Sequence, residues 1–196
     1  SYKVLRDYIL YWGTQVENQS ATTLINYINH DRLPSLTVML AASPTIGIWN
    51  LNASAIVMKQ WFSLDAAGQR RTYNNPLFVG SLNNTFTLPA GFLLSADFNY
   101  QSRGQVQNIP LKRPQYTLNI GLRKSLFNDA LSIEARANDL LLGCKQEALL
   151  YMESAQMKDL SWSDTRSFSL TVRYKFNAAK SKYKGTGAGQ DTINRM

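Results

Sequence analysis

The sequence predicts an all-β fold, an antiparallel transmembrane β-barrel of about eight strands, and three observations carry that prediction. The first is alternation. From Ser167 to Phe176 the even positions are Phe168, Leu170, Val172, Tyr174 and Phe176, and the odd positions are Ser167, Ser169, Thr171, Arg173 and Lys175. A strand sends successive side chains to opposite faces, so this run makes one aromatic face for lipid and one wet, cationic face for a lumen. The second is that the same alternation returns along the chain at lengths suited to a bilayer crossing. The third lies in the connections, short at 44–47, 89–91 and 127–129 and long and polar at 63–75, 102–114 and 143–161. Periplasmic turns and extracellular loops differ in this way, which puts both chain ends on the periplasmic side.

The strands are expected near 2–17, 22–43, 47–62, 76–89, 91–101, 115–126, 130–142 and 162–176. The first is the faintest, with Tyr8, Leu10 and Trp12 in step. Leu36, Val38, Leu40 and Ala42 mark the second, and Ser43-Pro44-Thr45-Ile46-Gly47 turns it into Trp49, Leu51, Ala53, Ala55, Val57 and Trp61. Phe78, Leu82 and Phe86 oppose Ser81, Asn83 and Thr85. Leu88-Pro89-Ala90-Gly91 then reverses the chain into Phe92, Leu94, Ala96, Phe98 and Tyr100. Tyr116, Leu118, Ile120 and Leu122 lead through Asn128-Asp129 into Leu131, Ile133, Ala135 and Ala137, a hairpin pattern. Trp49 and Trp61 share a parity and would stand roughly 30 Å apart along the membrane normal at a tilt near 40°, one at each edge of an apolar band. A soluble β-sandwich would bury them instead. Asn50, Asn52, Ser54, Glu134 and Arg136 on the other face suit a watery lumen better.

Composition narrows the function classes. No run approaches the roughly eighteen apolar residues that a helical span needs. Cys144 is the sole cysteine, so no intrachain disulfide forms, and His30 is the sole histidine, which removes a histidine metal cluster. A Ser-His-acid hydrolase would have to be built on His30 with Asn26, Asn29 and Asp31 nearby, polar residues that a lumen face or strand end accounts for. Gly185-Thr186-Gly187-Ala188-Gly189 lacks the flanking strand and helix of a phosphate cradle. The net charge of +8 is spread over loops (Arg70, Arg71, Arg103, Lys112, Arg113), lumen positions (Arg123, Arg136, Arg173) and the C-terminal stretch (Lys180, Lys182, Lys184, Arg195). That scatter argues against nucleic acid. Ordinary solvated charge accounts for such loops, and lipopolysaccharide phosphates or an anionic substrate are the partners they could otherwise meet. The expectation is therefore no enzyme, no catalytic residue, no metal and no cofactor, with the substrate-binding residues unassigned. Any ligand contact should come from the three long loops.

Several stretches carry a family resemblance. Arg173-Tyr174-Lys175-Phe176-Asn177, the run Lys180 to Gly189 and the ending Ile193-Asn194-Arg195-Met196 resemble the C-terminus of a Bacteroidota outer-membrane β-barrel family related to TonB-dependent receptors. Asn84 to Phe92, Arg123 to Asp129 and Asn138-Asp139-Leu140 are similar to its turn, hairpin and strand-end patterns. The likeness covers 84–196. It implies a Gram-negative outer-membrane transporter with a signal peptide, a carboxypeptidase-like domain, a plug, contact with TonB through its N-terminal region, and a barrel of about twenty-two strands. None of those N-terminal parts is recognisable here. On that resemblance, 1–177 is a barrel segment, the C-terminal part of something larger. The alternation stops after Phe176, and the glycines and cations of 178–196 predict a periplasmic tail, either a disordered end or one tucked back to the barrel mouth on Tyr183 and Ile193. The segment's partners would be outer-membrane lipid and lipopolysaccharide, the plug, the remaining barrel strands and TonB. A self-contained eight-stranded barrel with a structural or adhesive role is the alternative, and a soluble lipocalin-like binding domain a third.

Overall fold

The computed structural model describes residues 1–16, 22–153 and 155–176, so the expected tail at 178–196 lies outside the described residues. Fifteen strands follow one another: β1 Tyr2–Gln15, β2 Thr23–Ala42, β3 Thr45–Ile46, β4 Trp49–Gln60, β5 Phe62–Ala66, β6 Gln69–Tyr73, β7 Leu77–Leu88, β8 Phe92–Gln101, β9 Gly104–Val106, β10 Ile109–Leu111, β11 Gln115–Leu126, β12 Leu131–Asn138, β13 Lys145–Tyr151, β14 Gln156–Trp162 and β15 Ser167–Tyr174. A 3-10 turn at Pro89–Gly91 joins β7 to β8. No helix among the described residues is long and apolar enough to cross a membrane.

Eight of these strands form one antiparallel sheet in the order β1-β2-β4-β7-β8-β11-β12-β15, with the two-residue β3 folded onto β4. These are the eight strands the alternation predicts, with ends moved by a few residues. The total exceeds that expectation because the long connections are not irregular. Each forms a hairpin, and together these give the pair β5-β6 and a four-stranded sheet β14-β13-β10-β9. The large sheet does not close, since β1 and β15 are its two edges.

The register preserves one apolar face across the wall. Leu40 pairs with Ala55, Ala55 with Gly80, Gly80 with Tyr100 and Tyr100 with Tyr116. Nearer the short turns Trp49 pairs with Phe86, Phe86 with Leu94 and Leu94 with Leu122. From Leu122 the row passes to Ala135 and then Leu170. Leu82, Phe168 and Leu170 on this face are 44%, 72% and 70% exposed, as residues that meet lipid would be. Phe78, Tyr100 and Tyr116 form an aromatic row at the loop end; Trp49, Phe86, Phe92 and Tyr174 form the row at the turn end. Trp61 lies just past β4 with the Lys59 ammonium 5.2 Å from its ring centroid, so it stands beside the loop-end row without being the end of a continuous strand.

The other face carries Asn52, Ser54, Asn83, Asp97, Asn119, Arg136 and Thr171. Its Arg136 guanidinium meets the Asp97 carboxylate at 3.0 Å by passing over β11. Gly121 of β11 pairs with both Arg136 and Ser95, and a Cβ there would come within 2.7 Å of Ser95 Oγ. The glycine thus leaves room for the Ser95 hydroxyl on the neighbouring strand.

β1 departs from the expected wall strand. It pairs only with the loop-side half of β2, from Tyr2↔Leu36 to Gln15↔Thr23, and Leu36 is level with Lys59 at the loop end of β4. Ser1 therefore stands at the loop-side rim, not on the periplasmic side, and the β1–β2 hairpin rises above the wall. Asp7, with φ 51, sits mid-strand in the left-handed region and rotates the side chains that follow. Leu5 and Leu33 face inward before it, Tyr8, Leu10 and Trp12 after it. That change of parity is why the first strand is the faintest in the sequence.

Candidate functional site

Nearly all the tightly buried side chains lie above the wall, where the three long connections meet the β1–β2 hairpin. Leu10, Trp12 and Leu33 pack with Phe62, Leu64, Ala66 and Tyr73 of the β5–β6 hairpin. Leu111 and Ala148 pack on Leu77, with Met58, Val79 and Ile109 around them. The apolar residues of the lumen-facing parity concentrate at this end, where the cap covers the loop end of the sheet's polar face.

Polar contacts tie the cap across the sheet. The turn between β9 and β10 reaches β1: the Gln107 side-chain amide donates to the Tyr8 hydroxyl at 2.8 Å, and the Asn108 amide to the Tyr11 carbonyl at 2.6 Å. The Gln107 backbone N–H donates to Gln60 Oε1 at 3.0 Å. From the third connection, the Glu153 N–H donates to the Gly13 carbonyl at 3.2 Å, and the Ala67 N–H donates to the Met152 carbonyl at 2.6 Å. Gly104 lets β9 settle on the start of β7, because a Cβ there would stand 2.9 Å from Leu77 Cα. Thus elements from both halves of the open sheet are joined through one cap.

The base of the third hairpin hangs on Asp139. It is 3% exposed, accepts from the Thr165 hydroxyl at 2.6 Å and from the Gly143 N–H at 3.4 Å, while its own N–H donates to Asn119 Oδ1 at 2.9 Å. Its φ of 46 is one that aspartate tolerates better than most residues. Two ion-pair groups stand on the cap: Glu147 takes Lys158 at 2.9 Å and Arg113 at 3.2 Å, and Arg70 meets Asp65 at 3.2 Å. The hydrogen bond from Lys158 outweighs the opposing desolvation and, with the charges of Lys158 and Arg113, holds the Glu147 carboxyl below its usual value. Tyr73 is stacked on Phe62 at 5.0 Å, and desolvation pushes its phenol up to about 12.

Of the residues weighed from the sequence, His30 lies with its ring 5.3 Å from Phe62 on the β1–β2 hairpin. Asn29 and Asp31 fall on the opposite parity of β2, while Asn26 shares that of His30. Cys144 follows the single bridge between Gly143 and Tyr116 and is half-buried. No group of three potential metal ligands occurs among the described residues. Arg123 and Arg173 face the lumen side as expected, and Arg136 is engaged with Asp97. What sequence reasoning missed is Asp139 and the Tyr8, Tyr11, Gln107 and Asn108 ties. Each joins segments far apart in the chain, and no local pattern announces such a contact.

A family model described as "Outer membrane protein beta-barrel family" matches residues 2–174. Comparison with curated proteins and with solved structures found no match.

Proposed function

Because this chain belongs to the outer membrane protein beta-barrel family and so resides in the outer membrane, we propose that it forms the closing wall of a larger TonB-dependent-receptor-like importer. In that reading the segment is not an enzyme. It supplies lipid-facing wall, polar lumen and an outer cap that helps select a bulky nutrient. The plug, the remaining strands and the TonB contact belong to other parts of the protein, of the Bacteroidota type that the sequence resembles.

The observation that carries this reading is the open edge. Beyond Thr37, which exchanges backbone hydrogen bonds with Ser1, β2 continues to Ala42 with no strand on its β1 side among the described residues, and β15 has none among them on its outer side. Both edges lie at the depth of the apolar face, where an unpaired backbone group costs several kcal/mol. Further strands on both sides remove that cost, and this supports a wall segment over a self-contained eight-stranded barrel.

Two measurements test it. The heat-modifiable band of the native protein should run well above the 22.1 kDa of this chain; a folded barrel of that mass would refute the proposal. Deleting the 143–161 connection should lower energised nutrient uptake and leave heat-modifiable folding intact. Unchanged uptake of every candidate nutrient would remove that loop from recognition.

A further inference from the structure

The lipid-facing side of the wall is not smooth. Ala53, Ala55 and Gly80 are small residues set between Leu40 on one side and Leu82 and Phe98 on the other, and they leave a groove of about 430 Å³ with almost wholly apolar walls. It runs from mid-wall up to Phe78 and Tyr100 in the loop-end aromatic row, whose rings lie 6.0 Å apart. A second recess of about 540 Å³ adjoins it at Tyr100, lined by Ser102, Arg103 and Lys112 and, on its cap side, by Pro110 and Leu111. Tyr100 lines both. No acidic residue lines the upper recess, and neither Arg103 nor Lys112 is in an ion pair among the described residues.

An apolar slot capped by two uncompensated cations matches an amphiphile whose phosphate sits at the head of its acyl chains. The cations stand at the loop end, which faces outward in outer-membrane barrels. A phospholipid of the inner leaflet would present its phosphate at the opposite rim, beside Trp49, Phe86 and Phe92. We propose that groove and recess together bind one phosphorylated glycolipid of the outer leaflet, an acyl chain along Ala55 and Gly80 and a phosphate between Arg103 and Lys112. The proposal rests on the outer-membrane placement of this wall and adds to it a specific lipid site.

The test uses the full-length protein extracted from outer membranes in mild detergent, with bound lipid counted by native mass spectrometry. Wild type should retain one phosphorylated glycolipid. The double variant Arg103→Glu/Lys112→Glu should retain it at least about tenfold less, and the enzymatically dephosphorylated glycolipid should behave alike on wild type. Ala55→Phe, which fills the groove with another apolar side chain, should lower retention with both cations in place. If Ala55→Phe fails to assemble, the smaller Ala53→Leu serves the same purpose. Retention at the wild-type level in the charge variant or in the groove variant would overturn the site, as would binding of a diacyl phospholipid equal to that of the glycolipid. Complete displacement by inorganic phosphate would reduce it to a phosphate pocket and overturn the groove. Heat-modifiable mobility and recovery in the outer-membrane fraction report separately on the wall, so a failed site and a failed placement give different results.

Discussion

Leu82→Arg against Asn83→Arg is the sharpest test of which face meets lipid. Leu82 lies midway along β7 between Phe78 and Phe86, the two aromatic rows, and four residues at about 3.4 Å each with a tilt near 40° put it roughly 10 Å from either row. That is close to the middle of an apolar band about 25 Å tall. Its neighbours across the sheet are Ala53 and Phe98, which offer an arginine no partner. An arginine at that depth costs about 2–4 kcal/mol, or roughly thirtyfold to several-hundredfold in the folding equilibrium. Asn83 is next in sequence but points to the lumen, paired with Asn52 and Asp97, so an arginine there remains hydrated and gains a carboxylate neighbour. The assay is urea-titrated folding into lipid vesicles, read by heat-modifiable mobility. Leu82→Arg should shift the midpoint to markedly lower urea while Asn83→Arg stays near wild type. Equal midpoints for the two variants, or a larger loss at Asn83, would refute the assignment of faces.

Two further outcomes concern the cap. Asp139→Ala removes a charged acceptor for Thr165 and Gly143, each such bond being worth about 1.5–3 kcal/mol, and forces alanine into a left-handed conformation; amide exchange over 140–153 and 155–166 should speed up at least about tenfold, with Asp139→Asn intermediate and the wall strands unchanged. The Tyr73 phenol is raised in the folded state, so its contribution to stability is fully present below the unfolded value near 10 and is lost as pH rises through about 12; ultraviolet titration of the folded protein should show one late-titrating tyrosine that Tyr73→Phe abolishes.

The wall is legible because it follows from local geometry. A two-residue period puts Phe168, Leu170 and Val172 on one face whatever else the chain does, and Pro89-Ala90-Gly91 and Asn128-Asp129 reverse it locally, Ala90 and Asn128 adopting the positive φ that such turns use. Strand order follows in turn, since consecutive hairpins leave little choice of neighbour. That Asn29 and Asp31 turn away from His30 is also legible, because they share a parity of β2 that His30 does not. The cap obeys no such rule. β9 and β10 have three residues each, too few to show a period, and β10 finds β13 through the single pair Leu111↔Ala148 between distant connections. Their order comes from burying Leu77, Leu111 and Ala148 together, a cooperative gain that exists only once both loops have arrived. The same holds for Asp7, whose reversal of the inward parity is stabilised by Phe62 and Tyr73 packing from another connection. By itself the sequence determined an alternating sheet that meets lipid on one side and water on the other, because side-chain direction is a property of the strand alone. Only the tertiary structure decided that the loops fold into hairpins, that the buried core sits above the wall, that β1 rises over the rim and that the sheet stays open, because each of these depends on contacts between segments remote in the chain.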